Sequence, residues 1–169
     1  MTPQLVKDKL LAAEKHFLQK ERSLFEDILR YEVKSRERLV GENAGFATFC
    51  PFASRFSFET CIMPKRQSPD FAQCSDHDLV LLADMLRRVL LAYQRGLSRP
   101  AYNLVLCNGP VRTPRKDYWR TIDQDFRWHL EITPRLSGIA GFELGTGLFM
   151  NAILPEDAAE FLRKVRTDA

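Results

Sequence analysis

Within residues 125–136, Phe126, Trp128, Leu130 and Ile132 alternate with Arg127, His129 and Glu131. Side chains along a strand point to opposite faces in turn, so this spacing predicts a β-strand with one apolar face and one charged face. Neighbours on the same face lie roughly 7 Å apart. A cation, an imidazole and a carboxylate therefore form a row along which a phosphate or a sugar fits. The same pattern also describes an amphipathic strand whose polar face simply meets water, so the choice depends on the rest of the chain.

The 169 residues, 45% of them hydrophobic, can bury one sizeable core, and a single domain is expected. A net charge of +3 is compatible with a phosphorylated small molecule and falls short of a nucleic-acid footprint, so DNA and RNA are excluded as partners. No apolar run approaches the roughly 20 residues needed to span a bilayer, and Met1 is not followed by a signal-like charged and apolar pair of segments. Cys50, Cys61, Cys74 and Cys107 show no CxxC spacing, which favours reduced thiols. A soluble, cytoplasmic protein without membrane contact is the expectation.

Along the chain, apolar residues at three- and four-residue steps from Leu5 to Leu29 predict an amphipathic helix over residues 2–30, interrupted near Ser23. Three short strands follow, at 38–40, 45–49 and 56–63, with Gly41, Asn43 and residues 51–54 as turns. Ser75 and Asp78 make a capping-box-like start to a helix striped by Leu79, Leu82, Leu86, Val89, Leu90 and Tyr93 and stopped by Gly96. Residues 102–107 read as a strand, 112–120 as a basic, proline-containing loop and 136–142 as another strand. The latter runs into Glu143-Leu144-Gly145-Thr146-Gly147, where closely spaced glycines let backbone approach a ligand. Pro155 opens a final helix with Glu156 and Asp157 in its first turn. This order predicts an α+β fold with an antiparallel sheet.

Four segments together resemble one family: residues 51–65, residues 100–106, Trp128-His129-Leu130-Glu131-Ile132-Thr133-Pro134-Arg135-Leu136, and Ala140-Gly141-Phe142-Glu143-Leu144-Gly145-Thr146-Gly147. They are similar to the second half of galactose-1-phosphate uridylyltransferases, members of the histidine-triad superfamily. The resemblance implies a histidine-triad-like antiparallel sheet flanked by helices. Residues 1–30 then form an N-terminal helix, and residues 31–169 one domain resembling the family's second repeat.

The resemblance also implies hexose-1-phosphate nucleotidyl transfer in galactose metabolism, between a nucleotide sugar and a sugar 1-phosphate. Its nucleophile belongs to a His-Pro-His motif in the first repeat. This chain holds only His16, His77 and His129 and no His-Pro-His, so the first repeat is expected either on another polypeptide or in a longer form of this one. The competing expectation is a non-catalytic module that binds a nucleotide sugar or sugar phosphate, or that dimerises. His129 takes the middle place of a degenerate triad between Arg127 and Glu131 and is the candidate catalytic residue, with Arg127 a candidate phosphate donor.

By resemblance, Gly141, Phe142 and Glu143 contact the hexose, a carboxylate suiting vicinal hydroxyls and an aromatic ring suiting a sugar face. A homodimer is implied as well. A structural metal, zinc or iron, would fall on the positions of Glu32, Cys107, Arg127 and His129. Glu32, Cys107 and His129 are competent ligands, whereas Arg127 repels a cation and suits an ion pair with Glu32. The expectation is therefore an ion pair and no metal.

Overall fold

A computed structural model describes residues 3–111 and 119–167, so most of the expected basic loop at 112–120 lies outside the described residues. The chain folds as α1 (Gln4–Lys20), α2 (Leu24–Ser35), β1 (Leu39–Glu42), β2 (Phe46–Phe49), β3 (Thr60–Pro64), α3 (Asp76–Gly96), β4 (Tyr102–Cys107), α4 (Ile122–Asp125), β5 (His129–Pro134), α5 (Gly141–Thr146) and α6 (Pro155–Thr167). The strands form one antiparallel sheet in the order β1-β2-β3-β5-β4. The expected α+β class and antiparallel sheet are thus what the chain adopts.

The sheet is packed on both faces. Phe46, Ile62, Trp128, Leu130 and Ile132 join Met85 and Val89 of α3 and Leu162 of α6 in one core. Ala47, Phe49, Cys61 and Met63, which alternate with them, join Leu10 of α1 and Phe25 and Leu29 of α2 in the other. Period-two patterning on β2, β3 and β5 thus places a helical layer on each side. Tyr93 pins the first layer to the sheet: its buried hydroxyl accepts from Thr60 Oγ1 at 2.8 Å and donates to Phe58 O at 2.7 Å.

The N-terminal helix does break near Ser23, whose side chain caps α2 by accepting from Glu26 N. Helix α2 then runs to Ser35, past the expected end at residue 30. Ser75 and Asp78 form a full capping box on α3. Asn43 turns the β1–β2 hairpin by accepting from Gly45 N and Phe46 N, while Gly41 lies within β1 at a register shift rather than in the turn.

Three expectations are corrected. The strand predicted over 56–63 begins only at Thr60, because Phe58 is left-handed (φ 61°) and Glu59 caps the turn by accepting from Arg55 N at 2.7 Å. The strand containing His129 begins at that residue, because α4 delivers Phe126 into the opposite core from Trp128. Residues 136–142 form no strand. Pairing stops at Tyr102 opposite Pro134, and the chain turns into α5, whose end is set by Gly147 at φ 71°.

Replacing Tyr93 with Phe should destabilise the protein by about 1–2 kcal/mol, since a buried carbonyl loses its donor while the ring still fits. Urea unfolding reads this directly, and a loss well under about 0.5 kcal/mol would show that the hydroxyl does not hold the layers together.

Candidate functional site

Antiparallel register sets Cys107 of β4 opposite His129 of β5, and Glu131 follows two residues later on the same face. Helix α1 crosses this face and inserts Lys9, whose Nζ lies 2.5 Å from Glu131 Oε1, 3.3 Å from His129 Nε2 and 3.4 Å from Cys107 Sγ. The His129 ring is 3% exposed, rests against Phe25, and hydrogen-bonds through Nδ1 to Arg127 O at 2.9 Å. Glu131 also meets Arg55 NH2 at 3.5 Å. Sequence spacing left direct contact between His129 and Glu131 open, and the structure brings Nε2 and Oε1 to 3.6 Å.

These groups retune one another. Burial works against the charged ring of His129, but Cys107 and Glu131 push its pKa up to about 9. Burial likewise opposes the Glu131 carboxylate, while His129 and Lys9 bring it down to about 2. Lys9 is raised despite its burial, through Glu131 and Cys107.

Arg127 lies apart from this cluster in its bonding. Its guanidinium is 2% exposed and donates to Glu26, Gln67 Oε1, Pro64 O and Lys65 O. The expected partnership with Glu32 is therefore corrected. On α2, Glu26 and Glu32 are six residues and roughly 9 Å apart along the axis, and it is Glu26 that reaches Arg127. Glu32 Oε1 instead accepts from Arg38 Nε and NH2 at 3.0 and 2.9 Å, leaving Oε2 without a hydrogen-bond partner. Arg38 extends the pair to Glu156 of α6 at 2.8 Å and stacks over the rings of Tyr31 and Phe52. Burial pushes the Glu32 carboxyl up, against the pull of Arg38.

Between the sheet and the two N-terminal helices lies a cavity of about 630 Å³. Phe25, Ile28, Phe49 and Met63 wall it, and Glu32, Arg38, Lys9, His129 and Glu131 border it. The ligand set that the family resemblance implies for a metal is not assembled here, since Glu32 is held by Arg38 and Arg127 by Glu26. Among the described residues, the ligating atoms of Cys107, His129 and Glu131 do lie within 4.8 Å of one another.

Gly141, Phe142 and Glu143 are found elsewhere, on the exposed segment after β5. Glu143 Oε2 accepts from Ala140 N at 3.0 Å, capping α5, and these backbone bonds lower its pKa. Phe142 is half exposed, as are Ile139, Phe149 and other apolar side chains of this arm. The arm is tied to the body by Ser57 Oγ donating to Asn151 Oδ1 at 3.0 Å and by Phe149 against Phe56. His77 is exposed in the first turn of α3.

Lys9, Arg38 and Arg55 carry this arrangement without having been singled out by sequence. For Lys9 a signal existed: it falls on the stripe Val6, Leu10, Ala13 of α1, so a cation had to be buried there with partners.

No protein-family model matches the chain. An ADP-glucose phosphorylase of Arabidopsis thaliana is 34% identical over 134 residues, 79% of this chain and 37% of that protein. A galactose-1-phosphate uridylyltransferase of Thermotoga maritima is 26% identical over 173 residues, 98% of this chain and 52% of that protein. The solved structure of an Arabidopsis thaliana ADP-glucose phosphorylase with bound ADP-glucose superposes with a TM-score of 0.85 at 29% identity, over 97% of this chain and 50% of that one. A zinc-bound histidine-triad protein of Mycobacterium smegmatis, at 17% identity and a TM-score of 0.53 over 77% of this chain and 84% of its own, shares the fold. The chain thus spans from about a third to half the length of these longer relatives.

The pKa shifts fix a pH window. His129 is raised, so its contribution to stability is complete below its ordinary value of 6.5 and is lost as pH climbs through about 9. Glu131 is lowered, so its contribution is present above 4.5 and is lost as pH falls towards about 2. The melting temperature should therefore fall between pH 6.5 and pH 9, and His129→Gln should flatten that fall. An unchanged slope in the variant would rule out His129 as its source.

Proposed function

We propose that the chain is a member of the galactose-1-phosphate uridylyltransferase family, whose C-terminal half it matches, and that it is the hexose-binding half of a hexose-1-phosphate nucleotidyltransferase. The observation that carries this reading is the superposition of nearly the whole chain on half of an enzyme solved with ADP-glucose. The reaction is nucleotidyl transfer between a nucleotide sugar and a sugar 1-phosphate. Gly141, Phe142 and Glu143 supply the hexose contacts: Phe142 presents a half-exposed ring, and Glu143 keeps one carboxylate oxygen clear of its bond to Ala140 N.

On this reading the nucleophile comes from a first repeat carrying His-Pro-His, a motif that these 169 residues do not contain. The environment of His129 supports that division, because its Nε2 is covered by Lys9 and a phosphorus atom would have to displace the ammonium to reach it. The alternative of a module that binds a nucleotide sugar without turnover draws on the same burial of His129. We place the protein in the reducing cytoplasm, a setting supported by four unpaired cysteines. No helix among the described residues is long and apolar enough to cross a membrane.

A thermal-shift series with UDP-glucose, ADP-glucose and galactose 1-phosphate tests the binding claim. At least one should raise the melting temperature by linkage, and Glu143→Ala should abolish the rise. No shift with any of the three overturns it. Turnover of the bound ligand, measured with and without a first-repeat polypeptide, then separates the half-enzyme from the module.

Among the described residues, the edge strand β4 is open on both faces, with Tyr102, Leu104, Val105 and Leu106 between 42% and 50% exposed. Such an apolar, unpaired edge is a template for association, and we assign it to a homodimer. Sedimentation equilibrium should return twice the mass of one chain for the wild type and a single chain for the Leu104→Lys/Leu106→Lys double variant. A monomeric wild type refutes the homodimer.

A further inference from the structure

The cavity between the sheet and helices α1 and α2 crosses several strands. At its β5 end Lys9 bonds both His129 and Glu131, so the wall there is satisfied from within. At its other end, on the β1 side of the sheet and on the order of 10 Å away, stand Glu32 of α2 and Arg38 before β1. Between them Phe25, Ile28, Phe49 and Met63 form an apolar wall. Protein interiors pack as densely as organic crystals, and about 630 Å³ bordered by such side chains forfeits those contacts unless a ligand supplies them. The volume falls within the range of small-molecule sites. Phe52 lines the cavity and is 77% exposed, so a ligand can enter from solvent beside it.

The polar end selects the chemistry of that ligand. Glu32 is 3% exposed, and its Oε1 takes both Nε and NH2 of Arg38, while Oε2 has no hydrogen-bond partner among the described residues. A buried carboxylate oxygen left open is costly, and a donor brought by a ligand recovers that cost. An ammonium group is unsuited, because the Arg38 guanidinium beside Glu32 repels a second cation. An anion fits no better: Glu32 repels it, and the remaining fork of Arg38 is taken by Glu156 at 2.8 Å. A hydroxyl donates without bringing a charge. We infer that this cavity binds a small neutral aromatic alcohol, its ring between Phe25, Ile28, Phe49 and Met63 and its hydroxyl donating to Glu32 Oε2. Aromatic edges and a thioether suit such a ring. None of Gly141, Phe142 and Glu143 lines the cavity, so the site does not rest on the hexose reading.

Isothermal titration of the full chain with 2-naphthol and with 2-methoxynaphthalene tests this, since the two differ in the donor proton. 2-Naphthol should bind at one equivalent and at least about tenfold more tightly than the ether. Glu32→Gln should erase that preference, because Arg38 retains the carboxamide oxygen and the amide nitrogen, a donor, replaces Oε2. Ala12→Trp and Ala53→Trp place a bulky ring in the cavity from exposed positions on α1 and after β2, and each should remove 2-naphthol binding while circular dichroism stays that of the wild type. The absence of saturable 2-naphthol binding to wild type refutes the site. Equal affinity for the two compounds, or an unchanged preference in folded Glu32→Gln, refutes recognition by Glu32, and the wild-type comparison decides alone if that variant does not fold. Binding undiminished in both tryptophan variants puts the alcohol elsewhere and overturns the assignment.

Discussion

The charged face of β5 has to be neutralised by whatever packs on it, and much of this half of the molecule follows from that demand. A buried ion without a partner costs several kcal/mol, more than most single contacts return. Arg127, His129 and Glu131 sit in or beside a sheet whose other face is a dry apolar core. The layer laid over them therefore cannot be a plain apolar stripe. Helix α2 brings Glu26 to Arg127, α1 brings Lys9 to Glu131, and the turn before β3 brings Arg55 to Glu131 from the other side. Each pairing also fixes where an element lies, so charge complementarity and helix placement are here the same constraint.

That constraint explains which parts of the structure were legible from residues alone. Leu130 and Ile132 against His129 and Glu131 showed a two-faced strand because both faces are buried against chemically different layers. The capped start of α3 at Ser75 and the break at Ser23 were equally plain, since a cap depends on neighbours within three residues. What was not legible depended on distant partners. Nothing local distinguishes Glu26 from Glu32 as the partner of Arg127, because both lie on α2, and the choice is made by how far along the sheet the helix is set. Residues 136–142 carry strand-like side chains, yet they continue from β5, which already has β3 on one side and β4 on the other, and the chain turns into α5 instead of returning to the edge of β4. Lys9 was not singled out: its place on an apolar stripe marks it as a misfit, but its partners come from β4 and β5, some hundred residues away.

The two ends of β5 serve different purposes for the same reason. At its start the chain is enclosed, and polar groups are matched atom for atom inside the protein. Past its end, the arm from Leu136 to Leu154 and the neighbouring edge β4 leave apolar groups in solvent at a density a finished surface rarely tolerates. Glu143, held by its own helix start rather than by the core, belongs to that exposed side.

The polar layer can be followed outward from the guanidinium at position 127. An arginine there cannot share a cation site with His129, and its planar donors need a carboxylate, which α2 provides as Glu26. Glu32, one and a half turns further along α2, is then left to Arg38 and through it to Glu156 of α6, so the pair buttresses the junction of α2, β1 and α6. With both residues withdrawn, the anionic and lone-pair groups that remain at the β4–β5 ladder are Cys107, His129 and Glu131, and a positive charge is still owed to them. Lysine is the side chain with the reach to provide it from a separate helix, and a compact ammonium, with donors in three directions, fits between three acceptors where a planar fork does not. Lys9 is therefore the counterpart of Arg127: the first closes on the sheet the charge balance that the second opened.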